Sequence, residues 1–158
     1  MIFVSYKRHP DAPLAHLIEN ELRMRGLPTW IDTIEPPGGD WEMQIRDGIE
    51  RCSAFVVVLT PDLAAASRTV VEDEVALAVR YKKRIVPVLA PGFVWPEAPS
   101  APAWLNAVRA FNGVPASWDY KDAFIDKLVR YCTGHPDGIA SESRGSTAPR
   151  RWWHLWRR

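Results

Sequence analysis

The stretch "AFVVVLT", residues 54 to 60, limits what this chain can fold into more than any other. Its apolar residues are consecutive, and Val56, Val57 and Val58 are β-branched. A strand with one wet face alternates apolar and polar residues, so an unbroken run needs cover on both faces. Helices that cross over a parallel sheet give such cover, and the remaining sequence has the matching alternation.

"MIFVS" (1–5) and "LPTWI" (27–31) are further strand patterns. Between them a helix is expected with Asp11 as N-cap, Pro13 in the first turn and Gly26 as the stop. "DTIEPPGGD" (32–40) is a loop. Asp40 then caps a helix carrying Trp41, Ile45, Ile49 and Cys52 at helical spacing. After 54–60 come a helix over about 68–82, a strand "RIVPVLA" (84–90), a Pro-rich stretch, a weaker strand near "AVRAF" (107–111) and a helix over 119–132. This is a doubly wound parallel sheet, which binds ligands at the carboxyl ends of its strands. The candidate mouth comprises Ser5–Arg8, the 32–40 loop, Thr60–Asp62 and the start of the helix near residue 70.

That last helix holds an awkward residue. Val71, Val75, Ala78 and Val79 form its apolar stripe, and Glu74 sits at the stripe's edge. It either reaches the helix flank and pairs with Arg80, Lys82 or Lys83, or it is a half-buried carboxylate facing the mouth. In the second case it could stabilise a developing positive charge. "SYKR" (5–8) offers hydroxyls and cations suited to a phosphate or diphosphate, or else a solvated loop start. Of the tryptophans flanking the 32–40 loop, Trp41 reads as a core anchor and Trp30, at a strand end, as a ring for stacking on a planar base.

At 158 residues, 47% hydrophobic and 25% charged, the chain is about one globular domain. Beyond Ser141, five arginines against Glu142 make a +4 tail, which leaves the body at −3 within a net charge of +1. That balance argues against nucleic-acid binding by the whole chain. Residues 1–134 read as the domain and 135–158 as a flexible basic tail, ending in "RRWWHLWRR". The tail is either plain disorder or a weak contact with an anionic membrane surface. Cys52 and Cys132 match no metal spacing and fall on apolar helix faces, so two buried free thiols are expected. No secretory signal or membrane-length apolar run is visible, and a cytoplasmic location is expected. The sequence has no GxGxxG after its first strand, no Walker loop, no HExxH and no GxSxG. A phospho-receiver would need acids where "SYKR" and "LTPD" stand.

In this order, "IFVSYKR", "GLPTWID", the Pro/Gly loop, "DWEMQIRDGIERCSAFVVVLTPD" and "SRTVVEDEVALAVRYKKRIVPVLA" resemble a Toll/interleukin receptor (TIR) domain of the bacterial type, over about residues 1–132. The resemblance implies a flavodoxin-like five-stranded parallel sheet with helices on both faces. It also implies cleavage of NAD+ at the nicotinamide–ribose bond to give nicotinamide and ADP-ribose or a cyclic isomer, with no metal or cofactor. Glu74 falls at the family's catalytic glutamate. Ser5, Tyr6, Lys7 and Arg8 would line the diphosphate and ribose, Trp30 and Asp32 the nicotinamide end, with Thr60 and Val70 also at the substrate. Val70 stands where the family commonly has tryptophan. Ile34, Pro36, Pro37 and Gly38 would belong to the BB loop, through which such domains self-associate into homo-oligomers or filaments. Two readings follow: an NADase activated by self-association, serving anti-phage defence or cell-death signalling, or a non-catalytic TIR–TIR interaction module. Glu74 and "SYKR" favour the enzyme, and Val70 counts against it.

Overall fold

The computed structural model describes residues 1–31, 40–66, 69–97 and 100–134. Asp32, Ile34, Pro36, Pro37, Gly38 and the tail from residue 135 lie outside the described residues. Strand and helix alternate as β1 (Ile2–Ser5), α1 (Arg8–Met24), β2 (Thr29–Ile31), α2 (Trp41–Arg51), β3 (Ala54–Leu59), α3 (Pro61–Ala65), α4 (Val70–Arg80), β4 (Arg84–Leu89), α5 (Ala103–Arg109), β5 (Val114–Pro115) and α6 (Lys121–Thr133). The strands form one sheet in the order β2-β1-β3-β4-β5, parallel throughout.

β3 is central, and every one of its residues is fully buried. Successive side chains alternate between two cores. Ala54, Val56 and Val58 join a cluster with Leu14, Ile18 and Leu22 of α1 and Phe124, Ile125 and Leu128 of α6. Phe55, Val57 and Leu59 join a second cluster with Ile45 and Ile49 of α2, Val71, Val75 and Ala78 of α4, and Trp104, Leu105 and Val108 of α5. With Leu63 of α3 also in the second cluster, the unbroken apolar run is covered by two of the described helices on one face and four on the other.

Three elements differ from the sequence expectation. α1 begins at Arg8 with Lys7 at the N-cap, so Asp11 lies inside the helix rather than capping it. Pro13 is then an interior residue that removes one ladder bond, a loss of about 3 kcal/mol. Burial of Leu14, Ile18 and Leu22 outweighs it, at about 1.5–3 kcal/mol for each such side chain. The weak strand expected at 107–111 is instead the end of α5 and the turn after it, because Trp104, Leu105 and Val108 share one helical face. The fifth strand is the short β5, paired through Val88↔Val114 and Leu89↔Pro115. Since β5 stops there, Pro87 of β4 faces no described strand on that edge, where its missing N–H costs no ladder bond. Thirdly, "TPD" at 60–62 opens the short α3, with the Thr60 hydroxyl accepting from Leu63 N and Pro61 in the first turn.

Both cysteines are buried free thiols. Burial pushes the Cys132 thiol up to about 12 and raises that of Cys52 too, which keeps both protonated and unreactive. Among the described residues no helix is long and apolar enough to cross a membrane.

α1 and α6 are also joined by charge. The Glu21 carboxylate accepts from Lys121 Nζ and from Arg25 Nη1, each at 2.5 Å, and these bonds hold its pKa below the usual carboxylate value. A carboxyl whose folded pKa is depressed contributes stability above its unfolded pKa and loses it as pH falls through the folded value. Glu21→Gln is therefore expected to lower the denaturation midpoint at about pH 7 and to flatten its acid limb below about pH 4.5. Urea melts across that range check it, and an unchanged acid limb contradicts it.

Candidate active site

The alternation of β1 decides where Ser5 points. Ile2 and Val4 belong to the core under α1 and α6, whereas Phe3 belongs to the core under α4. Ser5 shares the parity of Phe3 and is aimed at α4, with 1% of its surface exposed. On α4, Glu74 lies among the buried residues Val71, Val75 and Ala78 and is itself only 5% exposed. The Ser5 hydroxyl donates to Glu74 Oε2 at 2.5 Å, in the range of a charge-assisted bond to a carboxylate. Glu74 therefore does not run out along the helix flank. Lys83, one flank partner considered for it, donates instead to the carbonyls of Glu50 and Cys52.

The start of α4 is set by Thr69, whose hydroxyl accepts from Glu72 N at 3.3 Å. "TVVE" (69–72) carries the S/T-x-x-E pattern of a capping box. It places the helix start at Val70 rather than near 68, so Thr69 and Val70 come to the rim of a cleft.

That cleft, of about 290 Å³, has Glu74 and Ser5 in its wall, with Tyr6, Lys7 and Arg8 following from the end of β1. It lies at the carboxyl end of β1, where the sheet runs to β2 on one side and β3 on the other, the position at which doubly wound sheets bind ligands. Two cations and several hydroxyls stand beside one buried carboxylate. Such a site can hold an anionic group at Lys7 and Arg8 while placing negative charge against a neighbouring atom that becomes positive.

Other candidate residues fall in different places. Trp30 stacks on Phe3 with ring centroids 4.6 Å apart and does not line the cleft. Its register partner across the sheet is Phe3, which puts it over the core. Trp41 packs against that core as well but also lines the cleft, with the Arg8 guanidinium 6.0 Å from its ring centroid. Thr60 is buried and caps α3, outside the cleft lining. Val70 is half exposed at the rim. Thr69 and Trp41 were not singled out for the site from sequence. The capping box could have found the former; no local signal marks the latter.

Ser5→Ala is expected to cost about 1.5–3 kcal/mol of stability, the usual worth of a hydrogen bond to a charged group. The same change in a Glu74→Gln background should cost clearly less. A double-mutant cycle by chemical denaturation measures the coupling, and strict additivity would mean that the bond does not hold the carboxylate.

A family model described as TIR domain matches residues 2–129. The chain is 35% identical over 155 residues to the NAD(+) hydrolase sarm1 of Drosophila melanogaster, covering 92% of this chain and 11% of that protein. It is 30% identical over 154 residues to the NAD(+) hydrolase SARM1 of Danio rerio, covering 90% of this chain and 22% of that protein. The chain thus spans less than a quarter of these relatives' length. Among solved structures, the TIR domains of the activated Roq1 resistosome share its fold, with a TM-score of 0.62 at 13% identity over 82% of this chain and 96% of that one.

Proposed function

The chain belongs to the TIR domain family, and from that premise we propose that it is an NAD+ glycohydrolase with Glu74 as its catalytic carboxylate. One observation carries the reading: a carboxylate 5% exposed, bonded to Ser5, in the wall of a cleft that also presents Lys7 and Arg8. Two relatives that match almost the whole chain are named NAD(+) hydrolases, which supports the same chemistry.

The residues suit each part of the substrate. Lys7 and Arg8 take the diphosphate, and the Trp41 ring offers a face to a planar base. With the nicotinamide ribose against Glu74, the C1′–N1 bond breaks and its electron pair goes to the pyridine nitrogen. Nicotinamide leaves neutral, and positive charge appears on the ribose ring. A carboxylate about 4 Å away stabilises that charge by roughly 4 kcal/mol at an effective dielectric of 20, which is about a thousandfold in rate. Ser5 holds the carboxylate in position. Water adds to C1′ and releases a proton, giving ADP-ribose. If an adenine nitrogen adds instead, the product is a cyclic isomer.

The same reading extends to activation by self-association through the 32–40 loop, with a role in anti-phage defence or cell-death signalling. Its support is the resemblance of that loop to the family's BB loop.

The experiment is release of nicotinamide from NAD+, followed by chromatography at high protein concentration with a crowding agent. Glu74→Ala and Glu74→Gln are expected to lower the rate by about 10³-fold. Silence from wild-type protein whose assembly is confirmed independently would overturn the enzyme and favour an interaction module.

Trp41→Ala should raise KM for NAD+ by about tenfold or more, since a stacked ring is worth about 1–3 kcal/mol per base. Trp41→Phe should keep most of that affinity. Equal losses in the two variants, with unchanged melting, would remove Trp41 from the substrate's surroundings.

A further inference from the structure

A second cleft, of about 430 Å³, opens at the other end of the sheet, and the reaction above makes no use of it. It lies where β4 begins and α6 ends. Lys82, Lys83, Arg84 and Arg130 contribute four cations to its lining, and no carboxylate lies among the described lining residues. Two rings, Phe111 and Tyr131, complete it.

Part of this charge has a structural explanation. α4 ends at Arg80 and α6 at Thr133, so two helix C-termini approach here, each with a partial negative charge of roughly half an electron. Lys83 is occupied, because its ammonium donates to the carbonyls of Glu50 and Cys52. Arg84 lies against the end of α6: a Cβ on Gly134 would lie 2.6 Å from its Nη2, so the glycine permits the close approach. Arg130, in the last turn of α6, is exposed. Phe111 keeps 37% of its surface exposed beside these charges.

Two guanidinium groups beside one partly exposed ring, Phe111, match a ligand with a phosphate at one end and a flat ring at the other. The volume is within the usual range of small-molecule sites, about 300–1,000 Å³. We propose that this cleft binds a purine mononucleotide, with Arg84 and Arg130 on its phosphate and Phe111 against its base. The ligand would sit at the amino ends of the strands, opposite the site of NAD+ cleavage. The proposal does not depend on that cleavage, because its readout is binding.

AMP is the probe, since it lacks the nicotinamide bond and is not consumed. Calorimetric titration with AMP, inorganic phosphate and adenosine is run on wild type, Arg84→Gln/Arg130→Gln, Phe111→Ala and Lys7→Gln. AMP should bind more tightly than either fragment and more weakly as salt rises. The double variant and Phe111→Ala should each weaken AMP by about tenfold, one lost contact of ordinary size, and Lys7→Gln, in the other cleft, should leave AMP binding unchanged. Phe111→Ala, at a partly exposed position, keeps the test valid should the double variant melt early. No saturable AMP binding overturns the proposal, and so does a loss confined to Lys7→Gln, which would put AMP in the active-site cleft. Phosphate binding as tightly as AMP overturns the nucleotide and leaves free phosphate as the ligand.

Discussion

Complete burial of β3 is the constraint on which the other elements depend. Six consecutive residues without exposed surface need cover on both faces, and parallel neighbours force a crossover connection after each strand. The helices are divided between the faces, α1 and α6 on one, α2, α3, α4 and α5 on the other. With β1 and β2 on one side of β3 and β4 and β5 on the other, the chain reverses direction across the sheet once, between β1 and β3. Connections diverge there, and the gap between them is the cleft. The site follows from how the core is covered.

Within that cleft the expensive feature is Glu74. Moving a carboxylate out of water costs several kcal/mol unless hydrogen bonds replace its hydration. The hydroxyl of Ser5 supplies part of that replacement and fixes the carboxylate in the cleft wall. Glu21 serves differently within the same chain. There two cations neutralise the carboxylate, and the result is a clamp between α1 and α6.

The legible parts of the sequence were those where one periodicity dominated. β3 could be read because its unbroken apolar run is short and rich in β-branched valine, and Glu74 could be located from the stripe of α4. What stayed hidden depended on pairing between distant segments. Ser5 and Glu74 are 69 residues apart, and their bond requires both the parity of β1 and the rotation of α4. Residues 107–111 show the opposite weakness: five mainly apolar residues fit a strand as well as a helix, and only the position of Trp104 against the core decides for α5. Likewise Trp30 looked free to stack on a base because the sequence does not reveal that register places it opposite Phe3.

The two tryptophans bear on the departure at Val70. In the family pattern that this chain resembles, an aromatic ring stands four residues before the glutamate, on the same helix. Here that position is a half-exposed valine at the cleft rim. The cleft nevertheless has an indole, contributed by Trp41 at the first turn of α2. α2 and α4 both cover the same face of the sheet, so either can present a side chain to the space above β1. A ring that stacks on a base acts through its face and its distance, and neither depends on which helix carries it. Loss of the ring from α4 therefore does not by itself remove an aromatic wall. In the reaction proposed above the carboxylate has no such freedom. Its position relative to the breaking bond would have to hold to within a fraction of an ångström, and the parity of β1 and the cap at Thr69 act together on that one side chain.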